Sequence, residues 1–298
     1  MELHELDYFV TIAQLGNITK AAQQLYVSQP TLTKSLQRLE EEVGLPLFQR
    51  TGRRLVLTYA GERYLARAKE LLSVKRTLDA EMADIRREDV GRLPVGIPPV
   101  RCSFSLPSVL PGFRRLHPNV EIRILEDDSE ALDEALRSGQ VDLNFYNYTA
   151  PDPRLEYRVL AHDTIYAVLP QGHPARSQAV PRGDQWELPL SALAEETFLL
   201  QKRTQRQGQY IYELMRRQHV SPRRILETSN IRAAFALAVN GYGAAFISSG
   251  LLRHLERDAQ FDRYLLAGGP SLDFVAAWRR GSYLPECAQD FIRLMQQA

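Results

Sequence analysis

The chain has 298 residues, 37 Lys and Arg against 36 Asp and Glu, and 44% hydrophobic residues, which gives a formal net charge of +1. This length suits two domains rather than one, and the composition is that of an ordinary soluble protein able to bury a sizeable core. The two cysteines exclude a disulfide scaffold, and no uninterrupted apolar segment approaches the ~20 residues that span a bilayer, so no membrane segment is expected.

The N-terminal segment M-E-L-H-E-L-D-Y-F-V carries no cationic region before a long apolar run. We therefore expect no signal peptide and a cytoplasmic protein. Apolar residues recur here at helical spacing and predict a first helix that braces the segment behind it. They are Leu3, Leu6, Phe9, Val10 and Ala13.

Two short helical patterns separated by a tight break follow. Thr19 is the predicted N-cap of the first pattern, and Ser28 is that of the second. Pro30 lies in the first turn of the second pattern, where its missing N–H costs nothing. The predicted inward stripes are Ile18, Ala21, Ala22 and Leu25 in the first helix, and Leu32, Leu36, Leu39 and Val43 in the second.

The outward face of the second helix is polar and cationic near its start, as a major-groove recognition helix requires. At about 100° per residue this face carries Pro30, Lys34, Gln37 and Arg38, with Gln29 and Thr33 at its flank. The acidic run Glu40 to Glu42 argues mildly against DNA binding, but it lies about two or more turns beyond the start of the helix. A generic three-helix packing unit with a solvated outer face is the alternative.

A small basic hairpin is predicted next. Phe48, Leu55 and Leu57 can point inward, and Gly52 permits a positive φ in the turn. Arg50, Arg53 and Arg54 flank that turn. From Lys20 to Lys69 there are nine Lys and Arg against four Glu, a local excess of 9 − 4 = +5 that favours phosphate binding. Together these features predict a winged helix-turn-helix.

The run A-A-Q-Q-L-Y-V-S-Q-P-T-L-T-K-S-L-Q-R-L-E-E-E-V-G-L-P-L-F-Q-R, followed by R-R-L-V-L-T-Y-A-G, closely resembles the N-terminal signature of LysR-type transcriptional regulators. The similarity extends, more thinly, over essentially the full length. It implies an α/β protein with an N-terminal all-α winged helix-turn-helix and a two-lobed, periplasmic-binding-protein-like effector domain. With the spacing it predicts contacts to double-stranded promoter DNA from Thr19, Ser28, Gln29, Pro30, Thr31, Thr33, Lys34, Arg38, Arg50, Arg53 and Arg54.

We place the winged helix-turn-helix at residues 1–58, a linker helix at 59–88, a hinge at 89–93 and the effector domain at 94–298. Thr58 can cap the linker helix, whose seam follows an alternating four-three spacing with a polar break at Lys75. The seam is Tyr64, Ala68, Leu71, Leu78, Met82 and Ile85. This seam predicts a homodimer; the alternative is an amphipathic helix that lies on its own domain. The resemblance implies that two copies pair through this helix and that a homotetramer forms. RNA polymerase is a candidate partner.

Beyond the hinge, short strands alternate with helices, as in an α/β domain. The predicted strands are Pro94–Ile97, Val120–Leu125, Val141–Tyr146, Thr164–Leu169, Thr197–Leu200, Arg224–Glu227, Gly243–Ile247 and Phe274–Trp278. The predicted helices are Leu106–Leu116, Glu130–Ser138, Gln205–Gln218, Asn230–Asn240, Ser249–Arg257 and Pro285–Gln297. The resemblance divides the domain into sub-domain I (about 94–162 and 268–298) and sub-domain II (about 163–267), with a ligand cleft between them.

Ligands in such sheets bind beyond the carboxyl ends of strands, where helix N-termini offer free N–H donors. The resemblance places the effector beside the turn P-P-V-R-C-S-F-S-L-P. Because Arg101, Lys202 and Arg203 lie at these edges, we predict a small anionic effector carrying a carboxylate. The predicted effector-binding residues are Arg101, Cys102, Ser103, Phe104, Phe145, Tyr146, Gln201, Lys202, Arg203, Thr204, Ser229, Asn230, Ile247 and Ser248.

Other functions have weaker support. Cys102 beside Arg101 suggests a redox thiol, but the chain has no CxxC pair, so a buried structural thiol is favoured. No G-x-S-x-G, HExxH, Walker A or GxGxxG motif is present, and the histidines lack ligand spacing, so we expect no enzyme, cofactor or metal. The alternative is a two-lobed solute-binding protein without a DNA role, which would give no specific gel shift with the upstream DNA of its own gene.

Overall fold

The N-terminal unit of the computed structural model is three helices followed by a two-stranded hairpin. The structure describes residues 3–51, 54–86, 91–148, 150–255, 260–269 and 272–297. The first elements are α1 (Leu3–Leu15), α2 (Ile18–Gln24), α3 (Gln29–Val43), β1 (Phe48–Thr51) and β2 (Arg54–Leu57). Their apolar stripes meet in one core, which includes Leu6, Phe9, Ala21, Leu32, Leu36 and Leu39.

Side-chain caps fix where α2 and α3 begin. Ser28 caps α3 as predicted, and its Oγ accepts a hydrogen bond from the Thr31 N–H at 3.3 Å. The prediction of Thr19 as the cap of α2 is wrong, because Asn17 holds that position and its Oδ1 accepts from the Lys20 N–H at 3.0 Å. Val43, predicted to be buried, is 37% exposed, because α3 ends there and the left-handed Gly44 turns the chain away.

Glu40 ties α3 to the hairpin. One of its carboxylate oxygens accepts hydrogen bonds from the N–H groups of Leu47 (2.7 Å) and Phe48 (3.0 Å). The strands pair antiparallel, and Phe48, Leu55 and Leu57 pack against the helical core as predicted. The predicted turn residues Gly52 and Arg53 lie outside the described residues.

The long helix α4 (Tyr59–Arg86) begins at the predicted cap. The Thr58 hydroxyl accepts a hydrogen bond from the Gly61 N–H at 3.0 Å and donates one to the Pro46 carbonyl at 2.7 Å. The predicted seam divides into two parts. Tyr64 and Ala68 pack into the N-terminal core. The rest of the predicted seam is exposed, and the exposed Val74 lies on the same stretch of helix. Together these residues form an exposed apolar stripe of Leu71, Val74, Leu78 and Met82. The Ile85 side chain lies outside the described residues.

The first lobe is a five-stranded sheet with helices on both faces. Its strands, in the order β4-β3-β5-β14-β6, are Val120–Glu126, Gly91–Ile97, Leu143–Tyr148, Leu272–Arg279 and Leu155–Asp163. Helices α5 (Pro99–Leu116) and α10 (Glu286–Gln297) cover one face, and α6 (Ser129–Arg137) covers the other. Parallel pairing of β3 with β4 and β5 brings their carboxyl ends to one edge.

The second lobe is a seven-stranded sheet. Its strands, in the order β11-β10-β12-β7-β13-β9-β8, are Arg224–Thr228, Thr197–Gln201, Ala244–Ser248, Ile165–Pro170, Phe261–Leu266, Gln185–Leu188 and Val180–Arg182. It carries α7 (Arg206–Gln218), α8 (Ile231–Val239), α9 (Ser249–Leu252) and 3-10 helices at Pro174–Gln178 and Leu190–Leu193. The chain enters it through Thr164 and returns between β13 and β14. Within the described ranges, no helix is long and apolar enough to cross a membrane.

Several predicted boundaries in the two lobes differ from the structure. Helix α5 begins at Pro99 instead of Leu106, and Pro107 and Pro111 lie inside it. The hinge predicted at 89–93 is shortened by β3, which begins at Gly91, while residues 89–90 fall outside the description. Helix α9 ends at Leu252, well before the predicted end at Arg257. The sequence patterns also missed β6, β8, β9 and β13, of which β6 and β8 are edge strands with charged, exposed positions.

Helix α4 docks on the first lobe through polar contacts. Oδ2 of Asp84 accepts a hydrogen bond from the Tyr283 hydroxyl at 2.8 Å and one from the Glu286 N–H at 2.9 Å, at the start of α10. The Arg76 guanidinium donates to the Gly139 carbonyl and lies 3.6 Å from Asp142. These contacts fix α4 to the lobe along part of its length.

Candidate functional site

The outward face of α3 is open at the surface of the N-terminal unit. Gln29, Pro30, Thr31 and Lys34 are exposed, and Thr33 is half-buried. Four of the predicted side chains contact each other in two pairs: Ser28 Oγ lies 2.7 Å from Thr31 Oγ1, and the Thr19 hydroxyl donates to Gln29 Oε1 at 3.1 Å. The N-terminus of α3 therefore presents a small polar surface with Lys34 one turn further along.

Arg38 differs from the other predicted DNA contacts. Its Nε donates to Oε1 of Glu5 at 3.0 Å, and a terminal nitrogen pairs with the same oxygen. Glu5 is buried in α1, whereas just over half of the Arg38 side chain is exposed. This cation is therefore partly a structural partner of α1. Arg50 and Arg54 are exposed on the hairpin, and Arg53 lies outside the described residues.

A narrow cavity of about 70 Å³ separates the two lobes. The first lobe contributes Pro98, Val100, Arg101, Phe104, Asp128, Ser129, Tyr146 and Asn147 to its lining, and the second contributes Gln201, Gln205, Arg206, Gln207, Ile231, Ser248 and Leu251. The lobes are thus closed on each other in this structure.

Arg101 is committed to an ion-pair network at the point where the chain crosses between lobes. Its guanidinium lies 3.1 Å from Asp163 and donates to the Asn147 amide oxygen at 3.2 Å. Asp163 also accepts from the Ser249 hydroxyl and the Gly250 N–H. Burial lowers the pKa of Arg101, while the adjacent Asp163 carboxylate acts against that change. Arg101 lines the cavity at its predicted place, and its guanidinium is already paired with Asp163.

The residues after Arg101 occupy the first turns of α5. Cys102 packs against the core of the first lobe, and burial, with Glu126 as a second cause, raises the pKa of its thiol to about 11. The Ser103 hydroxyl donates to the Val100 carbonyl at 2.7 Å. Phe104 stacks on His254 of the second lobe with 4.3 Å between ring centroids. Of these three, only Phe104 lines the cavity.

The two aromatic residues of β5 that were predicted to bind the effector, Phe145 and Tyr146, point to opposite faces because side chains alternate along a strand. Phe145 is fully buried in the core beneath α5 and α10, so the prediction that it contacts an effector is wrong. Tyr146 points to the opposite face and lines the cavity. Burial raises the pKa of the Tyr146 hydroxyl, and the Asp133 carboxylate adds to this effect.

The loop after β10 supplies a different cation from the predicted ones. Gln201 lines the cavity, but Lys202 and Arg203 are exposed and Thr204 is half-buried, and none of these three belongs to the lining. The Arg203 guanidinium lies over the Tyr212 ring at 3.7 Å. The cation that the second lobe contributes to the lining is Arg206, at the start of α7. Sequence reasoning missed it because it lies inside the predicted helix, although its position in the first turn was an available signal.

The last four predicted effector-binding residues are Ser229, Asn230, Ile247 and Ser248, and of these only Ser248 lines the cavity. Asn230 caps α8, accepting from the Arg232 and Ala233 N–H groups at 3.1 and 3.3 Å, and Ser229 is exposed beside it. Neither lines the cavity. Ile247 is buried in the core of the second lobe, whereas Ser248, at the end of β12, does line the cavity.

A metal-binding arrangement is not found in the described part of the chain, where no group of three or more His, Cys, Asp or Glu side chains could hold an ion. The cavity lining offers hydrogen-bonding groups, amide side chains, two guanidinium groups that are each paired with a carboxylate, and the Asp128 carboxylate.

Comparison with known proteins places both units. The family described as "LysR substrate binding domain" matches residues 86–298, and the family described as "Bacterial regulatory helix-turn-helix protein, lysR family" matches residues 3–62. HcaR, the Hca operon transcriptional activator of Escherichia coli K12, is 28% identical over 100% of this chain and 98% of its own length. The match at 3–62 sets aside a solute-binding protein without a DNA role.

Solved structures agree with this placement. A full-length OxyR variant from Pseudomonas aeruginosa aligns with a TM-score of 0.78 over 99% of this chain and 95% of that chain, at 22% identity. HinK, a LysR family transcriptional regulator from the same species, aligns with a TM-score of 0.57 over 99% and 97%, at 26% identity. The helix-turn-helix and the two α/β lobes therefore follow a known arrangement.

Proposed function

The chain belongs to the LysR family of bacterial transcriptional regulators, and we propose that α3 and the hairpin read promoter DNA while a small carboxylate bound between the lobes controls that binding. The observation that carries the proposal is the exposed, polar and cationic start of α3, held outward by a core that buries its other face. A regulator that reads promoter DNA works beside the chromosome, which favours the cytoplasm as its location.

The DNA contacts divide by chemistry. Lys34, Arg50 and Arg54 supply cations for phosphates, and Arg53 joins them by its place in the sequence. Gln29, Pro30, Thr31 and Thr33 form the part of α3 that reaches base edges in the major groove. Arg38 contributes with only part of its guanidinium, because Glu5 holds the rest.

We divide the chain into the DNA-binding unit 1–58, the linker helix that begins at Tyr59, and the effector unit, whose first strand begins at Gly91. The exposed stripe on α4 supports pairing of two copies, because an apolar seam on a long helix has little other chain to cover it. Two recognition helices would then meet successive turns of the duplex, about 34–36 Å apart. Assembly to a tetramer and contact with RNA polymerase complete the proposed working state.

The effector is a small carboxylate recognised by donors at the cleft edges. The residues that support a carboxylate ligand differ from those predicted. Arg206, Gln201 and Ser248 line the cavity, whereas Lys202 and Arg203 do not. Because the cavity holds only about 70 Å³, a ligand of more than a few atoms requires the lobes to separate. Binding that favours the separated arrangement would change how the dimer holds its two recognition helices.

The DNA proposal is tested by a gel shift with the DNA upstream of the protein's own gene, with excess nonspecific competitor. In the Lys34→Ala variant we expect weaker binding to every duplex and a salt slope reduced by about 1 per subunit, about 2 for a dimer, because each subunit loses one phosphate contact. The matched control is Arg216→Ala, an exposed cation of the second lobe that pairs with Glu213. Native affinity in Lys34→Ala would contradict the assignment of α3.

Arg38→Ala tests both roles of that cation, the contact with DNA and the pairing with Glu5. We expect weaker DNA binding together with a lower thermal midpoint, since the variant removes the guanidinium that pairs with buried Glu5.

The effector proposal is tested by calorimetry with small organic acids on the full chain. Selective binding of a neutral or cationic molecule instead would overturn the carboxylate class without affecting the DNA assignment.

A further inference from the structure

Two charged side chains bridge the lobes beside the cleft. Asp133 lies on α6 of the first lobe, and Arg206 lies in the first turn of α7 in the second lobe. A terminal nitrogen of Arg206 pairs with Oδ2 of Asp133, and both side chains are mostly buried, with 19% and 14% of their surfaces exposed. Because the partners belong to different lobes, the pair can exist only while the lobes are closed.

The pair leaves buried polar atoms without hydrogen bonds. Within the described residues, Nε of Arg206 and Oε1 of Gln205 are buried and make none, and the buried Tyr146 hydroxyl has the Asp133 carboxylate beside it. Tyr146 is 1% exposed, and its ring centroid lies 5.8 Å from the guanidinium carbon of Arg206. Since unpaired buried polar atoms destabilise a structure, a cavity lined by Arg206 and Gln205 is suited to being completed by another molecule.

Arg206 is the cation that an acidic molecule would meet there. It lines the cavity, whereas Arg101, the other guanidinium in the lining, is held by Asp163 and Asn147. Asp163 is itself held by two donors of α9, so the Arg101 pair belongs to a network with several members. On the Asp133 side the neighbouring group is the Tyr146 hydroxyl, which belongs to the same lobe, so Arg206 is the partner that holds Asp133 across the cleft. It is therefore the more readily exchanged of the two pairs.

We propose that Arg206 is the anion-binding residue of the cleft, and that Asp133 acts as an internal ligand that occupies Arg206 until a small carboxylate replaces it. This inference rests on the proposed function of the cleft. It adds which residue binds the anion and how Asp133 regulates that binding. The Asp133 carboxylate and the incoming carboxylate are alike in charge and geometry, so they compete for one guanidinium. Exchange releases α6 from α7, and the lobes are then no longer held closed by this pair.

The Tyr146 hydroxyl and the Gln205 amide define the rest of the site. The raised pKa of Tyr146 keeps its hydroxyl protonated, so it can donate to a bound carboxylate oxygen. Oε1 of Gln205 accepts, so a ligand that also carries a hydroxyl or ammonium donor would satisfy it. The site therefore takes a small carboxylate, with a second, donating group as the complement of Gln205.

Separation of the lobes in Asp133→Ala, and in the native chain when formate is added, is the test. Formate is the smallest carboxylate that can replace Asp133 on Arg206. The full chain carries spin labels at Arg114→Cys on the first lobe and Ser221→Cys on the second, in a Cys102→Ser, Cys287→Ser background. We expect a longer and broader inter-label distance in Asp133→Ala. Formate should shift the distance in the chain with native Asp133 towards that value, and chloride at equal ionic strength should not.

Three further variants make the outcomes decisive. Glu134→Gln, the neighbouring acid that pairs with Arg137 within its own lobe, should keep the native distance. Asp133→Ala combined with Arg206→Met should open without responding to formate. Asp133→Asn keeps the side-chain shape and repeats the distance measurement if the alanine variant fails to fold.

A native distance in both Asp133 variants would overturn the internal ligand. A distance in the chain with native Asp133 that formate leaves unchanged, or that chloride lengthens equally, would overturn Arg206 as the anion-binding residue. None of these measurements involves DNA or the effector. Loss of the proposed regulatory function would appear separately, in the gel shift and the calorimetry.

Discussion

At the scale of single residues, two cations singled out for their charge are already paired within the protein. Arg38 pairs with Glu5, 33 positions away, and Arg101 pairs with Asp163, 62 positions away. Both acids are almost fully buried, and a buried carboxylate requires a charged or hydrogen-bonding partner. The position of a cation near a functional edge is therefore not sufficient to assign it to a ligand.

Cys102 carries a prediction at the same scale. Because the pKa of its thiol is raised from an ordinary 9.0 to about 11, the thiolate fraction near neutral pH falls about 100-fold. In a Cys287→Ser chain, we expect iodoacetamide to alkylate native Cys102 about 100-fold more slowly than the same chain unfolded in urea. Comparable rates in the two states would show that the thiol is reactive and reopen a redox role.

At the scale of elements, α4 serves two surfaces along its length. Its first turns complete the N-terminal core through Tyr64 and Ala68, and its middle presents apolar side chains to the outside. The apolar spacing along the predicted seam is continuous, but the first part packs into the N-terminal core and the rest is exposed. The exposed portion is the one available to a second copy of the chain.

Leu78 tests that surface, since 55% of it is exposed in the single chain. Leu78→Asp places a charge in the proposed seam, and burying an unpaired charge is strongly unfavourable. We expect analytical ultracentrifugation to show a shift towards smaller species at a fixed protein concentration. Arg67→Ala, an exposed change on the same helix, is the matched control, and an unchanged distribution in Leu78→Asp would exclude this stripe as the pairing surface.

At the scale of the whole molecule, the linker helix is tied to the effector unit by Asp84. Its carboxylate accepts hydrogen bonds from Tyr283 and from the first N–H of α10, where a negative charge is also favoured by the helix dipole. The bond to Asp84 is the largest cause that raises the pKa of Tyr283 to about 12. A change in the first lobe thus has a direct route to the helix that carries the DNA-binding unit.

Asp84→Ala should loosen this connection. We expect faster hydrogen exchange at the Glu286 amide and in the first turn of α10, because that N–H loses its side-chain acceptor. Asp79→Ala removes an acid from the same helix that pairs only with Lys75 in an exposed position, and it should leave the exchange unchanged. Equal protection of Glu286 in Asp84→Ala would mean that the contact does not stabilise the docking.

The sequence by itself determined the features that depend on near neighbours in the chain. The helical spacing of α3, its Ser28 cap, the hairpin behind it and the Thr58 cap of α4 are each set within a few residues, and the structure confirms them. Local signals failed at the start of α2, which Asn17 caps instead of the predicted Thr19, and in α5, where prolines that normally end a helix lie inside it.

Only the tertiary structure decided which side chains face the cleft and which are consumed elsewhere. Phe145 and Tyr146 are adjacent in sequence, but the strand sends one into the core and the other into the cavity. Asp133 and Arg206 meet across 73 positions because two lobes close on each other. Local periodicity carries no information about such distant pairs, since it depends on neighbours within a turn or a strand, whereas these contacts depend on how whole sheets are placed.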